Sequence, residues 1–372
     1  MAKTAVFLAR KDEAPQTLVV VFLRGAADGL NLVIPVEDDD YYRARPLLSV
    51  PKSSVVPLNG LFGLHPHLGP LEAAYRDGQL TIVHAAGSED STRSHFEAQD
   101  LMEHGGITAG GWLGRFLRYG GGPSSSALAA VAMSSSLPES LRGAPGATAL
   151  QSLDQFSLGD NSAAYLQQLK FLYEGQNNEL ALAGHATLKA MSDLDALRNT
   201  VYRPEIGAEY GADDFSSRLR QVAQLIKSGL GLRAATIDIG GWDSHFMQTT
   251  VMDPLMLKLA NGLSSFYRDL GQRLADVSLV VMTEFGRRVQ ENSSFGTDHG
   301  RGSVMFVMGG GTKGGRMAGA WPGLKRDRLE GPGDVAVIHN YRDVLAPVLR
   351  RHGAASALNI IFPHHDVKDM DI

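Results

Sequence analysis

The chain has 372 residues, 44% of them hydrophobic and 20% charged, with a formal net charge of −5 and no cysteine. This usage supports a large core and excludes wholesale disorder; the missing cysteines exclude disulfides, thiolate metal sites and a cysteine nucleophile. No Lys/Arg run is interleaved with aromatics and the balance is acidic, so nucleic acid is set aside as a partner.

At the N-terminus, Met1–Thr17 carries Lys3, Arg10, Lys11, Asp12 and Glu13 around the apolar piece Ala5–Ala9, and has no twin-arginine pair. That piece is too short for a secretory core, and no apolar run approaches the ~20 residues that span a bilayer. The expected location is cytoplasmic, or periplasmic for a trimmed form of an exported protein.

Six short apolar runs follow in chain order: Leu18–Leu23, Leu80–His84, Ala127–Met133, Arg233–Ile239, Ser278–Met282 and Val304–Met308. Unalternating runs of this length suit parallel strands covered on both faces. Helical patterns lie between them. The clearest is predicted to start after Asp253-Pro254, as N-cap and first-turn proline, with Leu259, Leu263, Phe266, Leu270 and Leu274 at helical spacing. The fold class expected is α/β, a doubly wound, mostly parallel sheet flanked by helices, in one domain over 1–372. Within it, the turn-rich Gly120–Ser126 precedes a stretch of helical pattern, read as an inserted helical subdomain or cap over about 150–210.

Ligands of open α/β sheets gather beyond the carboxyl ends of strands, so the residues after each run are the candidates for chemistry. After the first run, Arg24-Gly25-Ala26-Ala27-Asp28-Gly29 offers a tight turn and a hard oxygen ligand in Asp28. After the second, Ser91-Thr92-Arg93-Ser94-His95 opens a helix, where a hydroxyl can act as nucleophile or simply as a cap. After the fourth comes Gly240-Gly241-Trp242-Asp243-Ser244-His245, whose carboxylate and imidazole two apart suit a borderline divalent ion. Glu284 follows the fifth, with Arg287 and Arg288 as an oxyanion clamp or a plain salt bridge. Thr297-Asp298-His299-Gly300 leads into the sixth. His65, His67, His84, His104, His339, His352, His364 and His365 are set aside, His104 as a neighbour of the cluster and His339 as the first exception.

The segments Leu23–Asn31, Gly240–His245, Thr283–Arg287 and Gly296–Gly300 closely resemble those of the bacterial family of unknown function called DUF1501, across essentially the whole chain. Many members carry a twin-arginine export signal, which this sequence lacks. More distantly, such proteins resemble the alkaline phosphatase superfamily, with its sulfatases. That resemblance implies a hydrolase of phosphate or sulfate esters, acting on a small-molecule or polymer substrate with one or two divalent ions (Zn, Mn or Ca). By order along the chain it implies Asp28, Asp243, His245, Glu284, Asp298 and His299 as metal ligands and Ser94 as nucleophile, ahead of Ser91 and Thr92. Arg93 and Arg287 would steady the equatorial oxygens. One departure stands out: Phe285 occupies the place of an imidazole in the superfamily's pattern. It favours the alternative of a non-catalytic binding or scaffold protein with an incomplete site. A metal-free serine hydrolase is a weaker third reading, because no Gly-x-Ser-x-Gly elbow lies near the candidate serines. Oligomeric state is not legible.

Overall fold

A computed structural model describes residues 17–120, 126–153, 162–176 and 178–372, so the N-terminal segment and most of the predicted Gly/Pro/Ser loop lie outside the described residues. The strands in chain order are β1 (Thr17–Leu23), β2 (Val33–Pro35), β3 (Val56–Pro57), β4 (Phe62–Leu64), β5 (Leu80–Gly87) and β6 (Ala130–Ala132). They continue with β7 (Ala147–Ala149), β8 (Ala234–Ile239), β9 (Val277–Thr283), β10 (Ser303–Gly309), β11 (Arg316–Ala318) and β12 (His339–Asn340). Nine of them form one mixed sheet in the order β11-β5-β10-β9-β1-β8-β6-β7, with β12 also paired to β5. The remaining strands, β2, β4 and β3, make a small antiparallel sheet.

Every residue of β1 is buried, as an unalternating apolar run requires when both faces are covered. Val19, Val21 and Leu23 join the core beneath the helices Asp214–Ser228 and Gln248–Leu270. Leu18, Val20 and Phe22 face the opposite core, against Trp112, Phe116, Val344 and Leu345. This is an α/β protein, a mostly parallel nine-stranded mixed sheet flanked by helices.

Two elements differ from the sequence expectation. First, β10 runs antiparallel to both β9 and β5. The connection from β9 holds no crossover helix and turns back beside the strand it leaves, and such a return forces antiparallel pairing. Second, the long helix begins at Gln248, and Pro254 lies inside it. Gln248 is buried and hydrogen-bonded to Asp28, and that tertiary bond starts the helix about one and a half turns before the expected Asp253-Pro254 start signal. In the middle of the chain, helices span Ser162–Tyr173 and Glu179–Arg198. Ala190 and Leu194 of the second pack into the main core.

The strand polarity fixes where chemistry can gather. Leu23 pairs with Ile239 and with Thr283, so the carboxyl ends of β1, β8 and β9 lie side by side. Ser303, which opens β10, pairs with Ala86 near the end of β5. All five polar segments singled out in the sequence therefore meet at one sheet edge.

Beneath that edge lies a buried ion pair. Asp28 caps the short helix Gly29–Leu32 and holds Arg45 bidentately, at 2.5 and 3.0 Å. Arg45 also donates to the carbonyls of Arg288 and Val289, which anchors the loop between β9 and β10. Gln248 completes the group, donating to Asp28 at 2.6 Å and accepting from Thr297 at 2.6 Å. Arg45→Met strands the carboxylate and is expected to cost about 3–5 kcal/mol, read from the denaturant midpoint. Adding Asp28→Leu to that variant should recover part of the loss, because the uncompensated charge is then gone.

Candidate metal centre

The turn after β1 passes so close to the turn after β8 that a Cβ on Gly25 would lie 2.6 Å from the backbone nitrogen of Asp243. This approach lets one side chain, Arg287, bind both turns from below. Its guanidinium donates to the carbonyls of Ala26, Gly25, Trp242 and Thr297, and at 2.7 Å to Asp243 Oδ1. Burial works against the Asp243 charge, but Arg287 outweighs it and holds the carboxyl at about 2, well below the usual range. Asp243 is therefore a fixed carboxylate over most of the pH scale.

Three imidazoles face it. His95 opens the helix His95–His104, His245 follows Asp243 by two, and His299 leads into β10. His245 Nε2 lies 3.1 Å from Asp243 Oδ1, and His299 Nε2 lies 3.3 Å from the same oxygen. Their two Nε2 atoms are 2.9 Å apart, and His95 Nε2 is 3.4 Å from Asp243 Oδ2. Bonds of about 2.0–2.2 Å to a tetrahedral Zn place neighbouring ligands roughly 3–3.5 Å apart, which matches this spacing.

What each ring does with its other nitrogen decides the reading. His95 Nδ1 meets Glu284 Oε1 at 2.9 Å, His299 Nδ1 meets the Arg93 carbonyl at 2.9 Å, and His245 Nδ1 meets Asp298 Oδ1 at 3.3 Å. All three partners are acceptors, so a proton on Nδ1 satisfies each of them and leaves an Nε2 lone pair free for a cation, as metal-ligating histidines are commonly held. His95 Nε2 is buried without a hydrogen-bond partner. His95, Asp243 and His299 bring ligand atoms within 4.8 Å of one another, and His245 adds an Nε2 beside Asp243 and His299; a cation placed among these donors would relieve the repulsion between them. This donor set fits a divalent metal.

A second group, His65, His67 and Asp253, also brings ligand atoms within 4.8 Å of one another. There the tautomer points the other way. His65 Nδ1 accepts the His67 backbone N–H, which leaves the proton on Nε2, directed at Asp253 3.8 Å away. Its ring acts as a donor and local cap, so this group fits a metal less well.

The sequence candidates separate accordingly. Asp243, His245 and His299 are brought together, and His95, which sequence reasoning passed over for Ser94, joins them. Its signal was present: a histidine crowded among hydroxyls at a strand end, more than a cap needs. Glu284 and Asp298 stand one step back as orienting partners. The Glu284 carboxylate, though buried, is held below its usual range by hydrogen bonds from His95, Gln99 and the Gly25 N–H. The expectation that Asp28 ligates a second ion is corrected by its bidentate pairing with Arg45. Neither arginine is free to clamp an oxyanion either. Arg287 is buried and turned to backbone carbonyls and Asp243, and Arg93 is engaged by the His299 carbonyl and by buried Asp334. Ser94 is exposed at the N-cap position, and its hydroxyl makes no capping bond. Phe285 forms a wall, with its ring stacked on His95 at 5.1 Å and against His299 at 5.0 Å. His104 bonds Glu139 and His339 bonds the Ala320 carbonyl, so neither belongs to the centre.

Equilibrated with Zn, the protein is expected to hold about one ion per chain, lost in His299→Ala. Glu284→Gln should weaken binding about 10–100-fold by metal-analysis titration, because His95 loses its orienting carboxylate. His95 titrates above the ordinary 6.5, chiefly through its hydrogen bond to Glu284. The proton competes with the metal, so affinity should rise as pH climbs through that elevated value, and Glu284→Gln should move the rise to lower pH.

No curated protein matches the sequence. Among solved structures, the chain is similar to the PH0037 protein from Pyrococcus horikoshii at 13% identity, over 91% of this chain and 98% of that one, with a TM-score of 0.35. The profile described as "Protein of unknown function (DUF1501)" matches residues 15–354, and with the strand-end motifs falling inside that span, the chain belongs to the DUF1501 family.

Proposed function

We propose that the strand-end cluster holds one divalent ion through His95, Asp243, His245 and His299, and that the protein hydrolyses phosphate or sulfate esters there. The observation that carries this reading is the shared arrangement: three rings each tied at Nδ1 to an acceptor, with three Nε2 atoms within 3.4 Å of one carboxylate. Nitrogen-rich donors favour Zn or Mn over Ca, which takes six to eight oxygens. When bound, the ion supplies Lewis acidity, polarising an ester oxygen and lowering the pKa of a nearby hydroxyl. The resemblance to the alkaline phosphatase superfamily supports the ester class but not its second metal, since Asp28 is committed to Arg45 and Phe285 replaces a ligand.

This chain's own groups divide the work. Arg287 keeps Asp243 ionised, and Glu284 and Asp298 orient two of the rings. Asp243 and His245 leave 46% and 44% of their side chains exposed, so the centre has an open face for a substrate. Ser94 sits on its rim, one residue before His95. Its oxygen attacks phosphorus or sulfur, the ester oxygen departs with a proton, and water then cleaves the seryl ester.

A second reading, a metal-holding binding protein without turnover, is favoured by the engagement of Arg287 and Arg93 within the protein. Turnover of an aryl phosphate and an aryl sulfate by Zn- and Mn-loaded protein decides between them. The hydrolase reading expects turnover that falls about a thousandfold or more in Ser94→Ala while the metal content holds. Loaded protein that turns over neither ester leaves the binding reading standing.

A further inference from the structure

The two loops that carry the centre also carry an apolar ledge. After His245, Phe246 is 66% exposed and Met247 42% exposed; Phe295, three residues before Asp298, is 49% exposed. With Leu47 and Leu48 from the facing loop, Met247 and Phe295 line a cleft of about 250 Å³. Met247 is two residues from His245, so the ledge begins within about 7 Å of a metal-binding residue along the backbone.

The backbone is specialised at the same two places. Met247 and Phe295 have φ of 48° and 57°, in the left-handed region that disfavours residues with a bulky side chain. Such positions persist only where the surroundings over-determine them, and they concentrate at ligand sites. Here the surroundings are the opposite loop. The Met247 N–H donates to Ser294 O at 3.0 Å, the Gln248 N–H donates to Phe295 O at 2.8 Å, and Asn292 Nδ2 donates to His245 O at 3.0 Å. Gly296 lets the strands of this clasp touch: a Cβ there would lie 2.3 Å from the His245 backbone. Core burial does not offset the strain at Met247 and Phe295, because both side chains remain substantially in water. A ligand that covers them would.

We infer that this ledge binds an apolar substituent of the substrate, an aryl or similarly sized hydrocarbon group attached to the phosphoryl or sulfuryl head held at the metal centre. The assignment rests on the hydrolase reading for the head group and on the ledge itself for the apolar part. An apolar cleft carried on the same two loops as a charged centre suits an amphipathic small molecule, polar at one end and apolar at the other. A cleft of about 250 Å³ takes a single small hydrocarbon group, whereas a membrane surface would need a broader apolar face.

The test uses Zn-loaded full-length protein with two non-hydrolysable probes, phenylphosphonate and methylphosphonate, by calorimetry. The phenyl compound should bind about tenfold or more tighter. In Met247→Asn/Phe295→Asn, whose side chains tolerate the left-handed region, that preference should vanish while methylphosphonate affinity and metal content hold. Equal binding of the two probes by the unaltered protein overturns the ledge and leaves the hydrolase reading intact. A neutral probe, 4-fluorobenzyl alcohol followed by fluorine NMR, separates the failures. If neither phosphonate binds but the alcohol binds and the double variant abolishes it, the hydrolase reading fails and the apolar site stands. If the alcohol does not bind either, the ledge fails too. Ledge-dependent capture by phosphatidylcholine vesicles overturns the substrate assignment.

Discussion

One guanidinium holds the working edge of this protein together. Arg287 is 1% exposed, and its guanidinium reaches five acceptors on three separate segments: the turn after β1, the turn after β8 and the approach to β10. A lysine has neither the fork nor the donor count to replace it. Because the fifth acceptor is Asp243, the contact that fixes the loops also fixes the charge of the carboxylate at the centre. Geometry and electrostatics are thus set by the same buried group, and the cost of desolvating it is met by local carbonyls rather than by water.

Around that anchor the centre is built in two layers. The inner donors come from the segments after β5 and β8 and before β10, and each ring is aimed by a partner on another segment. His95 depends on Glu284, His299 on the Arg93 carbonyl, and His245 on Asp298. No segment owns a complete site, so the sheet's strand order is itself a condition for the chemistry. Phe285 closes one side with a ring packed on His95 and His299.

Much of this was legible in the sequence. Unalternating apolar runs located the central strands, and looking just past their ends found Asp243, His245, Glu284, Asp298 and His299. Direction was not legible: the run Val304–Met308 reads the same whichever way it is paired, and only the helix-free return from β9 makes it antiparallel. Nor was partnership. Asp28 looks like a ligand until Arg45, seventeen residues on and inconspicuous in its own segment, is seen to claim both its oxygens. Ser94 and His95 are neighbours in sequence, and only tertiary contact shows that the imidazole lies beside Asp243. The start of the long helix failed for a related reason, since a local proline signal was overruled by Gln248 reaching a buried carboxylate.

The bond between Asp28 and Arg45 also limits how the edge can change. A second metal position at this edge needs Asp28 released and a ligand in place of Phe285. Removing Arg45 first leaves a buried, unpartnered carboxylate; replacing Phe285 first sets another polar ring beside His95 with no ion to share. Each single step is unfavourable until the other is taken. Arg45 and Phe285 thus hold this edge from two sides, and a single substitution at either leaves a polar group there without its partner.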